Sequence, residues 1–229
     1  MAPNAVLFDL DGTLMDTLPD LADATNAMRA DMGLRALPQD LIGTYVGKGT
    51  PVLVQRALAN NPSGTVPGED AFKQGLASFL DHYQRLNGRR AQLYPGVREG
   101  LAAFREAGLK LAVVTNKPTA FTPPLLAQFG LSEYFGAIVC GDTCECKKPD
   151  PLPLQHACSL LGTTPAHALF VGDSVNDVQA ARAAGMPVLA VPYGYNEGKD
   201  VRNLEVDDIV ASIADAAKWL ARQSQISRQ

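Results

Sequence analysis

Two carboxylates two residues apart, Asp9 and Asp11, follow the apolar run Ala5-Val6-Leu7-Phe8 and are succeeded by Gly12 and Thr13. At a strand end the two-residue period points both acids the same way, so they would face one site. A carboxylate can attack phosphorus to form an acyl phosphate, which splits one hard hydrolysis into two easier steps. Anionic nucleophile and anionic phosphate repel, so a cation must offset them. Gly12 permits a tight turn whose backbone N–H groups could meet phosphate oxygens. The competing reading is a calcium-binding loop, but Gly12 arrives too early for that pattern, and a strand-like run precedes it instead of a helix.

Three further clusters supply what such chemistry needs. In Val113-Val114-Thr115-Asn116-Lys117 an apolar run ends in a hydroxyl that can donate to a phosphate oxygen. Thr and Asn at such ends also serve as turn and cap residues, because their side chains bond nearby backbone. Lys147-Lys148-Pro149-Asp150-Pro151 holds a cationic pair before two prolines that restrict the backbone, and Lys148 directly precedes the first. A fixed ammonium there could neutralise both a phosphate and Asp9, whereas an ordinary lysine would lie in solvent. In Leu169-Phe170-Val171-Gly172-Asp173-Ser174-Val175-Asn176-Asp177 another apolar run ends in acids four residues apart where a helix should begin. Hard carboxylate oxygens suit magnesium. Asp177 could instead favour the helix N-terminus and Ser174 could cap it. Asp173 is harder to explain that way, since a carboxylate at a strand end beside two others needs a shared cation.

The elements that must position these residues follow from the apolar pattern. Runs at 5–8, 109–114, 137–139, 168–171 and 188–191 read as buried parallel strands. Helix signals cover 97–107, 119–129 and 176–184, closed by Gly108, Gly130 and Gly185. This alternation predicts an α/β fold, a Rossmann-like parallel sheet flanked by helices. Between the first two strands roughly a hundred residues intervene where a crossover needs about a dozen. Leu18, Leu21, Thr25 and Met28 recur there at helical spacing, behind the cap candidates Asp16 and Thr17, and Pro19 suits a first helical turn. Residues 17–91 are therefore expected to form an inserted helical cap domain over the mouth of the first strand. Residues 1–16 and 92–229 would form the core.

With 229 residues, 46% of them hydrophobic, the chain can bury one large domain or one domain plus a smaller one. A net charge of −4 argues against an extended nucleic-acid footprint, which usually needs a basic face. Residues 1–8 lack a basic start, and no stretch approaches the ~18 apolar residues of a membrane span. The expectation is a soluble cytoplasmic protein, monomer or homodimer, with no nucleic-acid or membrane partner. Cys140, Cys144, Cys146 and Cys158 fall in one short stretch, which fits a reducing compartment better than a disulfide framework. Their spacing lacks the paired Cys-x-x-Cys knuckles of recognisable zinc sites.

In this order and over nearly the whole chain, the four clusters resemble the haloacid dehalogenase superfamily of aspartate-nucleophile hydrolases. The resemblance implies that Asp9 is the nucleophile, and that Asp11 protonates the leaving alkoxide and then activates water against a phospho-aspartate. It implies that Thr115, Asn116 and Lys148 hold the phosphate. Magnesium would be bound by the Asp9 carboxylate, the Asp11 backbone carbonyl and Asp173, with Asp177 in support. The insertion looks like that superfamily's helical cap of the first type. Asp16-Thr17-Leu18-Pro19-Asp20-Leu21, Tyr45-Val46-Gly47-Lys48-Gly49 and Val191-Pro192-Tyr193-Gly194-Tyr195 look like the phosphoglycolate phosphatases within it. A small phosphorylated metabolite, 2-phosphoglycolate, is thus the expected substrate. Lys48 could pair with its carboxylate, or could be an exposed charge. Sugar-phosphate phosphatases, including those acting on N-acetylmuramic acid 6-phosphate, are similar too. A sugar phosphomutase and a non-catalytic binding scaffold are the remaining alternatives. The clustered thiols depart from the family pattern. Neighbouring lysines can lower a thiol's pKa, so oxidation there could perturb Lys148, unless the cysteines are simply buried and inert.

Overall fold

The central strand β1 (Ala5–Phe8) is wholly buried, and its alternation divides the interior in two. Val6 and Phe8 join one apolar cluster while Ala5 and Leu7 join another, as the period of two requires. A computed structural model describes residues 3–61, 64 and 68–226 of the chain. Residues 62, 63 and 65–67 of the expected cap span, and 1, 2 and 227–229 of the expected core span, lie outside the described residues.

Beside β1 lie β4 (Lys110–Val114) and β6 (Ala168–Gly172), both parallel to it. The outer strands are β5 (Ala137–Val139), β7 (Val188–Ala190) and β8 (Asp208–Ile209). The order β5-β4-β1-β6-β7-β8 makes a six-stranded parallel sheet. Of these six strands β8 alone has no counterpart in the sequence pattern, since two residues carry no apolar run. Helices α5 (Val97–Glu106), α6 (Thr122–Gln128) and α9 (Ile213–Ile226) cover the Phe8 face. There the Phe8 and Phe104 ring centroids stand 5.7 Å apart. Helices α7 (Leu152–Leu160) and α8 (Val175–Ala183) cover the Leu7 face. Each such buried large side chain contributes roughly 1.5–3 kcal/mol by leaving water. Helix α6 is shorter than the 119–129 span the sequence suggests. Thr119 spends its N–H and hydroxyl on Asp142 Oδ1, at 2.9 and 2.6 Å, which holds the preceding residues in a turn.

Between β1 and β4 the chain leaves the sheet through β2 (Met15–Asp16) and returns through β3 (Gln92–Leu93), which pair antiparallel. Among the described residues four helices lie between them: α1 (Leu18–Asp31), α2 (Gln39–Gly43), α3 (Thr50–Ala59) and α4 (Glu69–Leu86). They share a cluster of their own, with Leu21, Met28, Leu53, Phe79 and Tyr83, joined by Phe121 from the core side. Buried Asp20 accepts the backbone N–H groups of Gly88, Arg90 and Ala91, at 2.8, 2.7 and 3.1 Å. That carboxylate ties the start of α1 to the chain leaving α4, with its charge met by three donors. Thr17 stands at the N-cap of α1 without a capping bond, and Asp16 Oδ1 accepts Leu18 N at 3.2 Å instead. Among the described residues no helix is long and apolar enough to cross a membrane.

Candidate active site

Strand β1 has β4 on one side and β6 on the other, so the connections diverge at its carboxyl end. In an open α/β sheet that crevice is where ligands bind. Asp9 follows β1, Thr115 follows β4 and Asp173 follows β6, while Lys148 comes from the loop after β5. Asp9, Asp11, Thr115, Asn116 and Lys117 line a cavity of about 40 Å³, roofed by Leu21, Val46, Leu53 and Tyr83 from the helical insertion.

Asp9 and Lys148 meet as the sequence suggests. Lys148 Nζ lies 2.6 Å from Asp177 Oδ1 and 2.9 Å from Asp9 Oδ1. Its neighbour Lys147 stays half-buried outside the cluster. Burial would depress Lys148, but the pull of Asp177 and Asp9 outweighs it and raises its pKa. For Asp9 the balance goes the other way. Burial pushes it up to about 7 despite the attraction of Lys148. Asp9 Oδ1 is buried, and its partner is the Lys148 ammonium at 2.9 Å.

Asp9, Asp173 and Asp177 each offer a carboxylate oxygen, all within 4.8 Å of one another. Burial, and then the charges of Asp177 and Asp9, raise Asp173 well above the ordinary carboxylate range. Its oxygens are aimed by Thr13 Oγ1 at 2.7 Å and Tyr195 N at 2.7 Å. Asp177 is committed more completely. Its Oδ2 accepts Ser174 Oγ, Ser174 N and Asp173 N while Oδ1 takes Lys148, so it steadies the cluster from behind. Asp177 and Ser174 thus do form a helix-capping pair, on α8, in addition to facing the acids. Asp9 and Asp173, with Asp177 behind them, offer hard carboxylate oxygens that fit a divalent cation of the magnesium type.

Two expected phosphate contacts are redirected by their surroundings. Gly12 makes the expected turn at φ 91°, but its N–H donates to Met15 O at 2.8 Å and is not offered to the cavity. What the position supplies is room, since a Cβ there would stand 2.5 Å from Asp173 Oδ2. Asn116 Nδ2 donates to Gly47 O and Lys148 O, both at 2.9 Å, and Oδ1 accepts Lys148 N at 3.0 Å. Its side chain therefore fixes the lysine loop and touches the insertion. Thr115 Oγ1 accepts Lys117 N at 3.2 Å, which leaves its own proton to be donated. Lys48 is exposed, pairs with Glu197 at 3.4 Å and does not line the cavity.

The residues that sequence reasoning passed over surround Asp11. Thr17 Oγ1 donates to Asp11 Oδ1 at 2.7 Å, and Lys117 Nζ stands 3.1 Å from the same oxygen. Lys117 also donates to Tyr83 Oη, and Tyr195 Oη donates to Asp16 Oδ1. Lys117 was visible in the Thr115-Asn116 motif, whereas Tyr83 reads only as one apolar position of an amphipathic helix. The thiols of Cys140, Cys144 and Cys158 are pushed up by burial, against the activation their neighbouring lysines suggested.

Residues 3–185 match the family described as haloacid dehalogenase-like hydrolase. Over 220 residues the chain is 48% identical to the phosphoglycolate phosphatase of Nitrosospira multiformis, covering 96% of each. It is also 48% identical over 218 residues to that of Thiobacillus denitrificans, covering 95% of this chain and 96% of the other. A crystal structure of a predicted phosphoglycolate phosphatase from Haemophilus somnus superimposes with a TM-score of 0.89 at 37% identity, over 95% of this chain and 97% of that one. Four strand-end clusters converging on one crevice, together with these matches, show that the chain belongs to the haloacid dehalogenase-like hydrolase family.

Proposed function

We propose that the protein is a magnesium-dependent phosphatase that hydrolyses 2-phosphoglycolate to glycolate and phosphate through a phospho-aspartate on Asp9. The observation that carries the reading is the buried cluster at the strand ends, where Lys148 stands 2.9 Å from Asp9 and Asp173 lies alongside. The substrate is supported by the relatives named phosphoglycolate phosphatase, matched over nearly their full length.

Asp9 attacks phosphorus, its ammonium partner Lys148 holding charge beside the entering phosphoryl group. The Thr115 hydroxyl donates to a phosphate oxygen from the end of β4. Asp11, on the same cavity wall, gives a proton to the leaving oxygen and then takes one from water. Asn116 acts through Lys148, accepting from its backbone N–H and donating to its carbonyl. Asp9 and Asp173 would hold magnesium, with the Asp11 carbonyl as a further ligand and Asp177 behind them. When bound, the ion offsets the repulsion between nucleophile and phosphate. Leu21, Val46, Leu53 and Tyr83 of the insertion close over Asp9 and Asp11, which supports a small phosphate ester as the substrate. The partner is thus a small phosphorylated metabolite.

A phosphate-release panel of 2-phosphoglycolate, hexose phosphates, N-acetylmuramic acid 6-phosphate, nucleotides and pyrophosphate tests this, ranked by kcat/KM. The expected result is a lead for 2-phosphoglycolate of more than about tenfold, or ~1.4 kcal/mol. A sugar phosphate at the head of the ranking, or an isomerised sugar in place of free phosphate, overturns it.

A further inference from the structure

A phosphatase for a phosphorylated acid must recognise a second anion besides the phosphate, and one buried cation of the cavity has no part in the chemistry described so far. Lys117 is 2% exposed at its side chain and lies against Asp11, 3.1 Å from Oδ1 and 3.3 Å from Oδ2. Its ammonium also donates to the hydroxyl of Tyr83, whose ring centroid is 4.8 Å away. Tyr83 is fully buried, stacked on Phe79 at 5.4 Å and edge-on to Phe121 at 4.8 Å, so its hydroxyl is held where it stands. The other buried ammonium, Lys148, is committed to Asp9 and Asp177.

We propose that Lys117 and Tyr83 form the subsite for the carboxylate of the substrate, and thereby select phosphorylated two-carbon acids over uncharged esters. The inference rests on the 2-phosphoglycolate reading above and supplies the part of the site that reading leaves open. The substrate's own covalent structure locates the subsite. In 2-phosphoglycolate the carboxylate carbon is two bonds from the ester oxygen, and that oxygen must lie beside the acid that protonates it. A cation for the carboxylate must then adjoin Asp11, as Lys117 does. An ammonium has three donors. The two Asp11 oxygens, at 3.1 and 3.3 Å, can share one N–H and Tyr83 takes a second, so a carboxylate entering beside them meets the third, and the Tyr83 hydroxyl, accepting from Lys117, retains a proton to donate.

The rest of the cavity agrees with this placement. Leu21, Val46 and Leu53 close most of the facing wall with apolar surface, and besides Tyr83 the insertion adds one side-chain hydroxyl, Thr50. Lys48, the other candidate for the carboxylate, pairs outside with Glu197, which also holds Arg56 at 2.8 Å. Because Tyr83 comes from α4 and Lys117 from the core, the subsite is complete only with the cap seated on the core.

The test compares kcat/KM on 2-phosphoglycolate with that on ethyl phosphate, which keeps the two carbons and drops the carboxylate, in wild type, Lys117→Met and Tyr83→Phe. A hydrogen bond to a charged group corresponds to roughly 10–150-fold. Lys117→Met is expected to lower the 2-phosphoglycolate to ethyl phosphate ratio by at least about tenfold. Tyr83→Phe, which keeps the ring packing, should lower it by a few-fold and stands as the test should the buried lysine variant not fold. Inhibition by free glycolate should weaken in parallel. A ratio equal to wild type in the folded variants, with both substrates slowed alike, overturns the subsite and makes Lys117 a positioning residue for Asp11. Should wild type itself show no preference for 2-phosphoglycolate, the substrate reading fails first, and the subsite with it.

Discussion

Lys148 and Lys117 are both buried and both paired with an aspartate, yet their surroundings differ in kind. Lys148 is enclosed by core residues alone: Asp9, Asp177 and the Phe170 ring at 5.2 Å. Lys117 is held between core Asp11 and Tyr83 of the inserted helices. Burial alone would depress both, and in each case carboxylate attraction raises the pKa instead, so both stay protonated. The pocket around Asp9 is thus built within the sheet domain, whereas the pocket around Asp11 is assembled from two parts of the molecule.

Four measurements test that contrast. The largest effect is expected from Asp9→Asn, which should lower phosphate release by at least about 10³-fold on every substrate while leaving the circular dichroism spectrum intact. Normal turnover in that variant would refute the mechanism whatever the substrate. Next, Lys148→Met strands two buried carboxylates, and breaking such a pair costs roughly 3–5 kcal/mol. The melting temperature should fall, and kcat/KM should fall on 2-phosphoglycolate and ethyl phosphate by similar factors. A substrate-selective loss there would erase the distinction between the two lysines.

A smaller effect is expected at Gly194, where a Cβ would stand 2.2 Å from Asp173 Oδ2. Gly194→Ala must displace that carboxylate, and the magnesium concentration for half-maximal activity should rise about tenfold or more. An unaltered magnesium dependence would remove Asp173 from the metal site. The smallest effect is on stability in chelator. The Asp9 carboxyl is raised to about 7, above its ordinary value near 3.9, so the folded state holds a proton that the unfolded state has released. Its contribution is fully present below about pH 4 and is lost as pH rises through about 7. The melting temperature of the metal-free protein should therefore drop over that window, less so in Asp9→Asn, and added magnesium should restore more at pH 8 than at pH 5.

The sheet and the residues at its strand ends were legible because the signal is local. An apolar run followed by a chemically capable side chain identifies Asp9, Thr115 and Asp173 without knowledge of partners. Lys148 was singled out from Lys147 by the adjacent proline, and the structure buries Lys148 alone. What the sequence withheld are pairings made across distance. Asn116 is committed by Gly47, 69 residues away, and Lys117 meets Asp11 across 106 residues. Gly12 was read for its N–H, but a neighbouring carbonyl in its own turn takes that donor. Tyr83 lies in a helix whose pattern announces burial and nothing else. The short strand β8 and the late start of α6 escaped for the same reason, one having too few residues to show a period and the other being set by Asp142.

The antiparallel pair β2 and β3 has a consequence for how such a molecule can be remade. Met15 lies opposite Leu93 and Asp16 opposite Gln92, so the two points where the insertion departs and rejoins are neighbours about 5 Å apart. A gap of that size can be spanned by a two-residue hairpin turn. The sheet therefore sees the same pair of chain ends whether four helices or a short turn lies between them, and exchange of everything beyond that pair leaves the strand register undisturbed. The pair behaves as a splice junction, a place where evolution or an engineer can exchange the inserted helices without rewriting the sheet that carries Asp9.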